Sequence, residues 1–120
     1  MVDLDGLKKI NDEQGHEVGD DYIKLSVNII KDSIREKDSI IRMGGDEFLV
    51  ILTETDSEGV RSVIERIREN MKKNNESNVD YKVSMSLGYA TMVNGEKDVE
   101  DVIKEADEKM YEEKKEKKGI

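Results

Sequence analysis

The 120-residue sequence has no cysteine and a single histidine, His16. That absence excludes both a disulfide framework and a thiolate metal site, so any metal must be held by oxygen or by His16. It also fits a reducing compartment, and a cytoplasmic location is expected. No stretch approaches the roughly 18 consecutive apolar residues of a membrane span, and the N-terminus lacks a basic-then-apolar secretory pattern. No membrane contact is expected of this segment. Cationic residues are also scarce: 20 Lys and Arg stand against 29 Asp and Glu, a formal charge of −9. Such a surface repels a nucleic-acid backbone, which argues against duplex DNA or RNA as a partner. A small polyphosphate stays possible if a divalent cation, a few lysines and free backbone N–H groups offset the repulsion locally.

What is present is one domain's worth of pattern. With 35% hydrophobic residues the chain can close one modest core. Over residues 20–35, Ile23, Val27, Ile30 and Ile34 recur at spacings of four, three and four, the stripe of an amphipathic helix. Residues 39–43 (SIIRM) and 48–52 (FLVIL) are short β-rich runs around Gly44-Gly45-Asp46-Glu47, whose glycines can take the positive φ of a tight reversal. The spacing predicts a β-hairpin. Thr55-Asp56-Ser57-Glu58 has capping-box form ahead of Val60, Val63, Ile64, Ile67 and Met71, a second helix. Tyr81, Val83, Met85, Leu87 and Tyr89 alternate as in a half-buried strand, and Asn94-Gly95 marks the turn after it. Val99, Val102, Ile103, Ala106 and Met110 form the face of a last helix, with Lys114, Lys115, Lys117 and Lys118 at its cation-favouring end. The opening Met1-Val2-Asp3-Leu4-Asp5 reads as the tail of a strand, and the whole as helices covering a sheet.

Three constellations could carry chemistry. Asp3-Leu4-Asp5-Gly6 puts two acids on one face of a strand end, ahead of Lys8 and Asn11, and hard oxygen pairs suit Mg²⁺ or Mn²⁺. Read alone, it is also the composition of a solvated turn. An EF-hand loop is excluded, because Lys8 occupies the sixth position, where glycine is required, and Gln14 the twelfth. The second constellation is the hairpin tip, where adjacent Asp46 and Glu47 repel each other and invite a cation; alone, it is also a decorated Gly-Gly turn. The third is Gln14-Gly15-His16-Glu17-Val18-Gly19-Asp20, where glycines free backbone N–H groups at a helix start and Asp20 either caps the helix or accepts from a ligand. His16 there is a hydrogen-bonding spacer more readily than a base.

Together, "DLDGLKKINDEQGHEVGD" at residues 3–20, "RMGGDEF" at 42–48, "MSLGYA" at 85–90 and "EADEKMYEEKK" at 105–115 resemble the successive signature blocks of GGDEF domains, in the family's order. The resemblance implies an α+β, nucleotide-cyclase-like sandwich: a mostly antiparallel sheet flanked by helices, with the GGDEF motif on a β-hairpin. It implies a diguanylate cyclase that condenses two GTP into cyclic di-GMP and pyrophosphate across a homodimer; the alternatives are a GTP or cyclic di-GMP binding module without turnover, and a fragment used only for association.

Matched position by position, the resemblance implies that Asp3, the Leu4 carbonyl and Glu47 hold Mg²⁺ or Mn²⁺, and that Asp46 and Glu47 form the catalytic acidic pair. Gly44 and Gly45 would let GTP pass close to the backbone, and Asn11 and Asp20 would read the guanine edge. Gly6, Leu7, Lys8 and Lys114 would grip the β- and γ-phosphates, and Arg35 and Asp38 would match the inhibitory product site, spaced R-x-x-D. Three departures stand out: family members begin with a helix and a full first strand ahead of the position of Met1, Gly6 stands where many have Phe, and Lys118 stands where an Arg is usual. The single domain over residues 1–120 is thus expected to have most of its first strand missing, and to associate through open sheet edges or fold marginally.

Overall fold

A computed structural model of the chain describes residues 1–77, 82–92, 95 and 97–118. In chain order the elements are β1 (Val2–Leu4), α1 (Leu7–Gln14), α2 (His16–Ser33), β2 (Ser39–Arg42), β3 (Glu47–Ile51), α3 (Ser57–Ser77), β4 (Met85–Leu87) and α4 (Val99–Lys118). The four strands form one antiparallel sheet in the order β2-β3-β1-β4. The short β1 is central, bonded to β3 on one side and β4 on the other.

Period-two alternation splits the sheet's residues between two faces. Val2, Leu4, Phe48, Met85 and Leu87 point to one face, where they are buried with Tyr22, Ile29 and Ile30 of α2 and Val63 and Ile67 of α3. This is the core. Asp3 points to the opposite face, where Lys114 of α4 reaches it. Gly88, just beyond β4, lets α4 lie against the sheet, because a Cβ there would stand 2.1 Å from the Met110 nitrogen and 2.3 Å from the Ala106 oxygen. Ala106 and Met110 are accordingly buried, whereas Val99, placed on the apolar face by its spacing, is exposed.

Several boundaries differ from the sequence reading for identifiable reasons. Residues 7–14, read only as the sequel to a turn, form α1, a helix with one buried side chain, Leu7. Gly6 starts it at φ 73°, a left-handed conformation in which glycine carries no Cβ penalty. The next helix begins at His16, ahead of the expected Asp20, and ends at Ser33, because Ile34 is extended and the Arg35 N–H donates to Asp38 Oδ2 (2.9 Å). The cap of α3 is Asp56, whose Oδ1 accepts from the Gly59 N–H (2.9 Å), and not Thr55, whose hydroxyl donates to the Thr53 carbonyl (2.9 Å). Residue 83 leaves the ladder because Asn75 of α3 pairs with both its N–H and its carbonyl (2.8 Å each). Gly95 lies in a turn, as expected after the strand, with φ 71°; Tyr81, Asn94 and the Lys118 side chain lie outside the described residues. No described helix is long and apolar enough to cross a membrane.

The hairpin closes differently from the expectation. Neither Gly44 nor Gly45 has a positive φ. Instead the N–H groups of Met43 and Gly44 both reach the Glu47 carbonyl (2.8 and 3.4 Å), and the Arg42 guanidinium donates to the carbonyls of Gly44 (3.0 Å) and Gly45 (2.8 Å). A Cβ at either glycine would meet nothing within 4 Å, so what these residues leave is open space over the backbone.

Candidate functional site

The sheet register brings the two inferred metal carboxylates together. Asp3 of β1 is the cross-strand partner of Glu47 of β3. The Leu4 N–H donates to the Asp46 carbonyl (2.8 Å), which makes Leu4–Asp46 a hydrogen-bonded pair and leaves Asp3–Glu47 as the alternate kind. In that kind the Cα atoms lie about 4.5 Å apart and the side chains, on one face, approach most closely. In an antiparallel pair a residue's carbonyl faces the same side as its N–H, so the Leu4 carbonyl is directed at the hairpin tip.

The electrostatics of this corner are unfavourable. Asp3 is buried; its Oδ2 accepts from Lys114 Nζ at 2.6 Å, while its Oδ1 has no hydrogen-bond partner among the described residues. Burial pushes the Asp3 carboxyl above its ordinary range and the neighbouring Asp46 adds to this, with Lys114 pulling the other way. Asp46 meets Asp3 as a second acid, by charge and by side-chain contact, and both effects raise the Asp3 carboxyl. Glu47 is also raised, first by burial and then by the charges of Asp107, Asp3 and Asp46. A buried, unpartnered carboxylate oxygen among mutually repelling acids is an environment that a divalent cation relieves. The donors fit such an ion. Among the described residues no three acidic or histidine side chains already converge as a cage; two carboxylates and a carbonyl suit Mg²⁺, which keeps waters and takes further oxygens from phosphates.

Next to this corner is a cleft of about 580 Å³, lined among others by Gly6, Leu7, Lys8, Asp46, Lys114 and Lys117. It lies at the N-terminus of α1, where unpaired N–H groups and the helix dipole favour an anion. Lys114 is raised in pKa: burial alone would lower it, but the hydrogen bond and charge of Asp3 outweigh that, so it is a cation throughout the neutral range.

Asn11 and Asp20 sit on different helices, α1 and α2. The two helices meet at Gly19, where a Cβ would stand 1.7 Å from Asn11 Oδ1. Gly19 therefore makes the room that Asn11 occupies. Asp20 is exposed, as is His16.

Arg35 and Asp38 are turned toward each other. Arg35 Nε donates to Asp38 Oδ2 and its Nη2 to Oδ1 (3.1 Å each), while Nη2 also reaches the Thr53 carbonyl (2.7 Å). Asp38 Oδ1 accepts the Thr53 N–H as well (3.1 Å), and the Arg35 guanidinium holds this buried carboxyl down at about 2. The pair braces the loop before the hairpin, with the Arg35 side chain 41% exposed.

Sequence reasoning missed the network around Asp5. Asp5 has partners of its own: its Oδ1 accepts from Ser86 Oγ (2.8 Å) and its Oδ2 from Ser84 Oγ (2.7 Å) and Lys117 Nζ (2.9 Å). Burial would raise its pKa, but these donors outweigh burial and lower it. Lys117 also donates to the Met85 carbonyl, and the buried Tyr22 hydroxyl donates to the carbonyls of Asp5 (2.7 Å) and Ser84 (3.0 Å). The one signal available was the Lys114/Lys117 spacing, which puts both ammonium groups on one helix face.

The chain has counterparts among known proteins. Residues 1–119 match the family described as "Diguanylate cyclase, GGDEF domain". The chain is 41% identical over 118 residues to the "Probable diguanylate cyclase DgcT" of Escherichia coli, covering 95% of this chain and 26% of that protein. It is 33% identical over 119 residues to "Diguanylate cyclase A" of Treponema denticola, covering 95% of this chain and 31% of the relative. The chain thus spans about a quarter to a third of the length of these relatives. The crystal structure of the GGDEF domain of DgcB from Caulobacter crescentus in complex with c-di-GMP superposes with a TM-score of 0.82 at 27% identity, covering 95% of this chain and 69% of that one. The active GGEEF domain of a diguanylate cyclase from Vibrio cholerae gives a TM-score of 0.80 at 26% identity, covering 92% and 71%. With its hairpin motif in place and the family matched from residue 1 to 119, the chain belongs to the GGDEF domain family.

Proposed function

We propose that this chain is a diguanylate cyclase module that joins two GTP molecules into cyclic di-GMP with release of pyrophosphate. The observation that carries the reading is the unpartnered, buried Asp3 Oδ1 set across the strand pair from Glu47. Asp3, the Leu4 carbonyl and Glu47 would hold Mg²⁺ or Mn²⁺. Bound there, the ion supplies the positive charge that neutralises the triphosphate and polarises the α-phosphorus. The N–H groups around Gly6 and Leu7 and the ammonium groups of Lys8 and Lys114 grip the β- and γ-phosphates in the cleft, and Asn11 and Asp20 read the guanine edge. Gly44 and Gly45 leave the tip open for the nucleotide, and Asp46 and Glu47 face the centre where charge is redistributed. The 3′-hydroxyl of one GTP attacks the α-phosphorus of the other; the new P–O bond forms as the bond to pyrophosphate breaks, and the hydroxyl proton leaves to solvent. Each site holds one nucleotide, so two copies must face each other for both bonds to form. Cyclic di-GMP would then dock at the exposed edge of Arg35 beside Asp38.

Incubating the purified chain with GTP and Mg²⁺ and resolving the nucleotides by chromatography tests this. Cyclic di-GMP is expected from the native chain and none from Glu47→Gln. GTP binding by calorimetry without product would reassign the chain as a binding module, with Arg35→Ala reporting on cyclic di-GMP. Binding of neither nucleotide at millimolar metal would refute both.

A further inference from the structure

Two lysines of α4 face two aspartates, Asp3 in β1 and Asp5 just after it, yet the two contacts differ in kind. Asp5 is complete: both its oxygens carry hydroxyl donors as well as Lys117, and Lys117 in turn holds the Met85 carbonyl and lies 3.6 Å from Glu113. Asp3 is incomplete, with one oxygen on Lys114 and the other without a donor among the described residues. Lys114 also lines the cleft beside Lys8 and the start of α1.

We propose that Lys114 is the resident counter-ion of Asp3, and that it gives up this carboxylate to an incoming divalent cation and swings into the cleft to take a phosphate. The inference rests on the metal-binding reading of Asp3 and Glu47. An ammonium group 2.6 Å from Oδ2 and a dication on Oδ1 of the same carboxylate would repel each other in a partly buried corner. The repulsion is relieved when Lys114 leaves, and its new position is one that only a bound polyphosphate rewards. Metal entry and phosphate capture are thereby coupled: the metal alone meets a competitor, and the triphosphate removes it. Lys117, tied to a saturated carboxylate, stays where it is.

Binding of Mn²⁺ alone, without nucleotide, separates the possibilities. Lys114→Met is expected to bind Mn²⁺ about fivefold or more tightly than the native chain, in the range of an ordinary coupling. Lys117→Met, which removes the same charge from the same helix face, is expected to leave the affinity nearly unchanged. A measurement on the native chain avoids any folding defect of the variants: acetylation by acetic anhydride, read by mass spectrometry, should rise severalfold at Lys114 on adding Mg²⁺ and stay level at Lys117. Unchanged labelling of Lys114, or equal tightening by both substitutions, would overturn the counter-ion role while leaving the metal site standing, provided Glu47→Gln abolishes Mn²⁺ binding. Mn²⁺ binding that is indifferent to Glu47→Gln, or absent altogether, would overturn the metal site and this inference together.

Discussion

Replacing Gly19 by alanine should separate stability from nucleotide recognition. Gly19 lies inside α2, where alanine is favoured over glycine by about 0.5–1 kcal/mol, so the helix itself should gain. The added Cβ would stand 1.7 Å from Asn11 Oδ1 and 2.8 Å from its Cγ, both at the end of a flexible side chain and not on the backbone. The fold can therefore yield by expelling the Asn11 amide from the α1–α2 junction, at a cost comparable to the helix gain. The net change in stability should be within about 1 kcal/mol, a melting shift of a few degrees in either direction. If Asn11 reads guanine, losing its hydrogen bonds should weaken GTP binding by about 1–3 kcal/mol, roughly 5- to 150-fold. ATP, a poor ligand of such a site, should be affected far less. Calorimetry with a non-hydrolysable GTP analogue, alongside thermal melting, tests both halves. A folded Gly19→Ala chain with native GTP affinity would refute the placement of Asn11 in the guanine site.

Two further expectations concern the frame around the site. Gly88→Ala drives a Cβ into the backbone of α4 at Met110 and Ala106, which cannot rotate away, so the loss should be about 2–3 kcal/mol, seen as a lower urea midpoint at unchanged slope; a shift below about 0.5 kcal/mol would contradict the close approach. Asp38 has a folded pKa of about 2, below its unfolded value, so its stabilisation is full above about pH 4 and is lost as pH falls through 2. Discounted for the solvated loop and the half-open Arg35, that contribution is about 1 kcal/mol, and an Asp38→Asn chain with an unaltered acid-unfolding profile would remove it.

How far these features were legible in the sequence depended on the range of the contacts involved. The hairpin, α3 and α4 announced themselves because Ile40 to Ile51 and the stripes from Val60 and Val102 obey a period set by neighbours a few residues away. Helix α1 did not, since Leu7 and Ile10 supply only one turn of apolar repeat and its start depends on the left-handed Gly6. The pairing of Asp3 with Glu47 followed from the family motif, and the register of β1 on β3 supplies its physical basis. The division of labour between Asp3 and Asp5 was illegible, because Asp5 is fixed by Ser84, Ser86 and Lys117, residues far along the chain whose approach only the folded sheet and α4 create. The glycines of the motif illustrate the reverse error: their presence suggested positive φ values at a tight reversal, whereas neither glycine adopts one and the missing side chains leave space.

The claim on which the account turns is that Asp3 and Glu47 share a single divalent ion. A double-mutant cycle on Mn²⁺ affinity, using Asp3→Asn, Glu47→Gln and the pair, measures this directly. The account predicts strong non-additivity, with either single substitution removing nearly as much affinity as both together. Additive losses, each carboxylate contributing independently of the other, would contradict it.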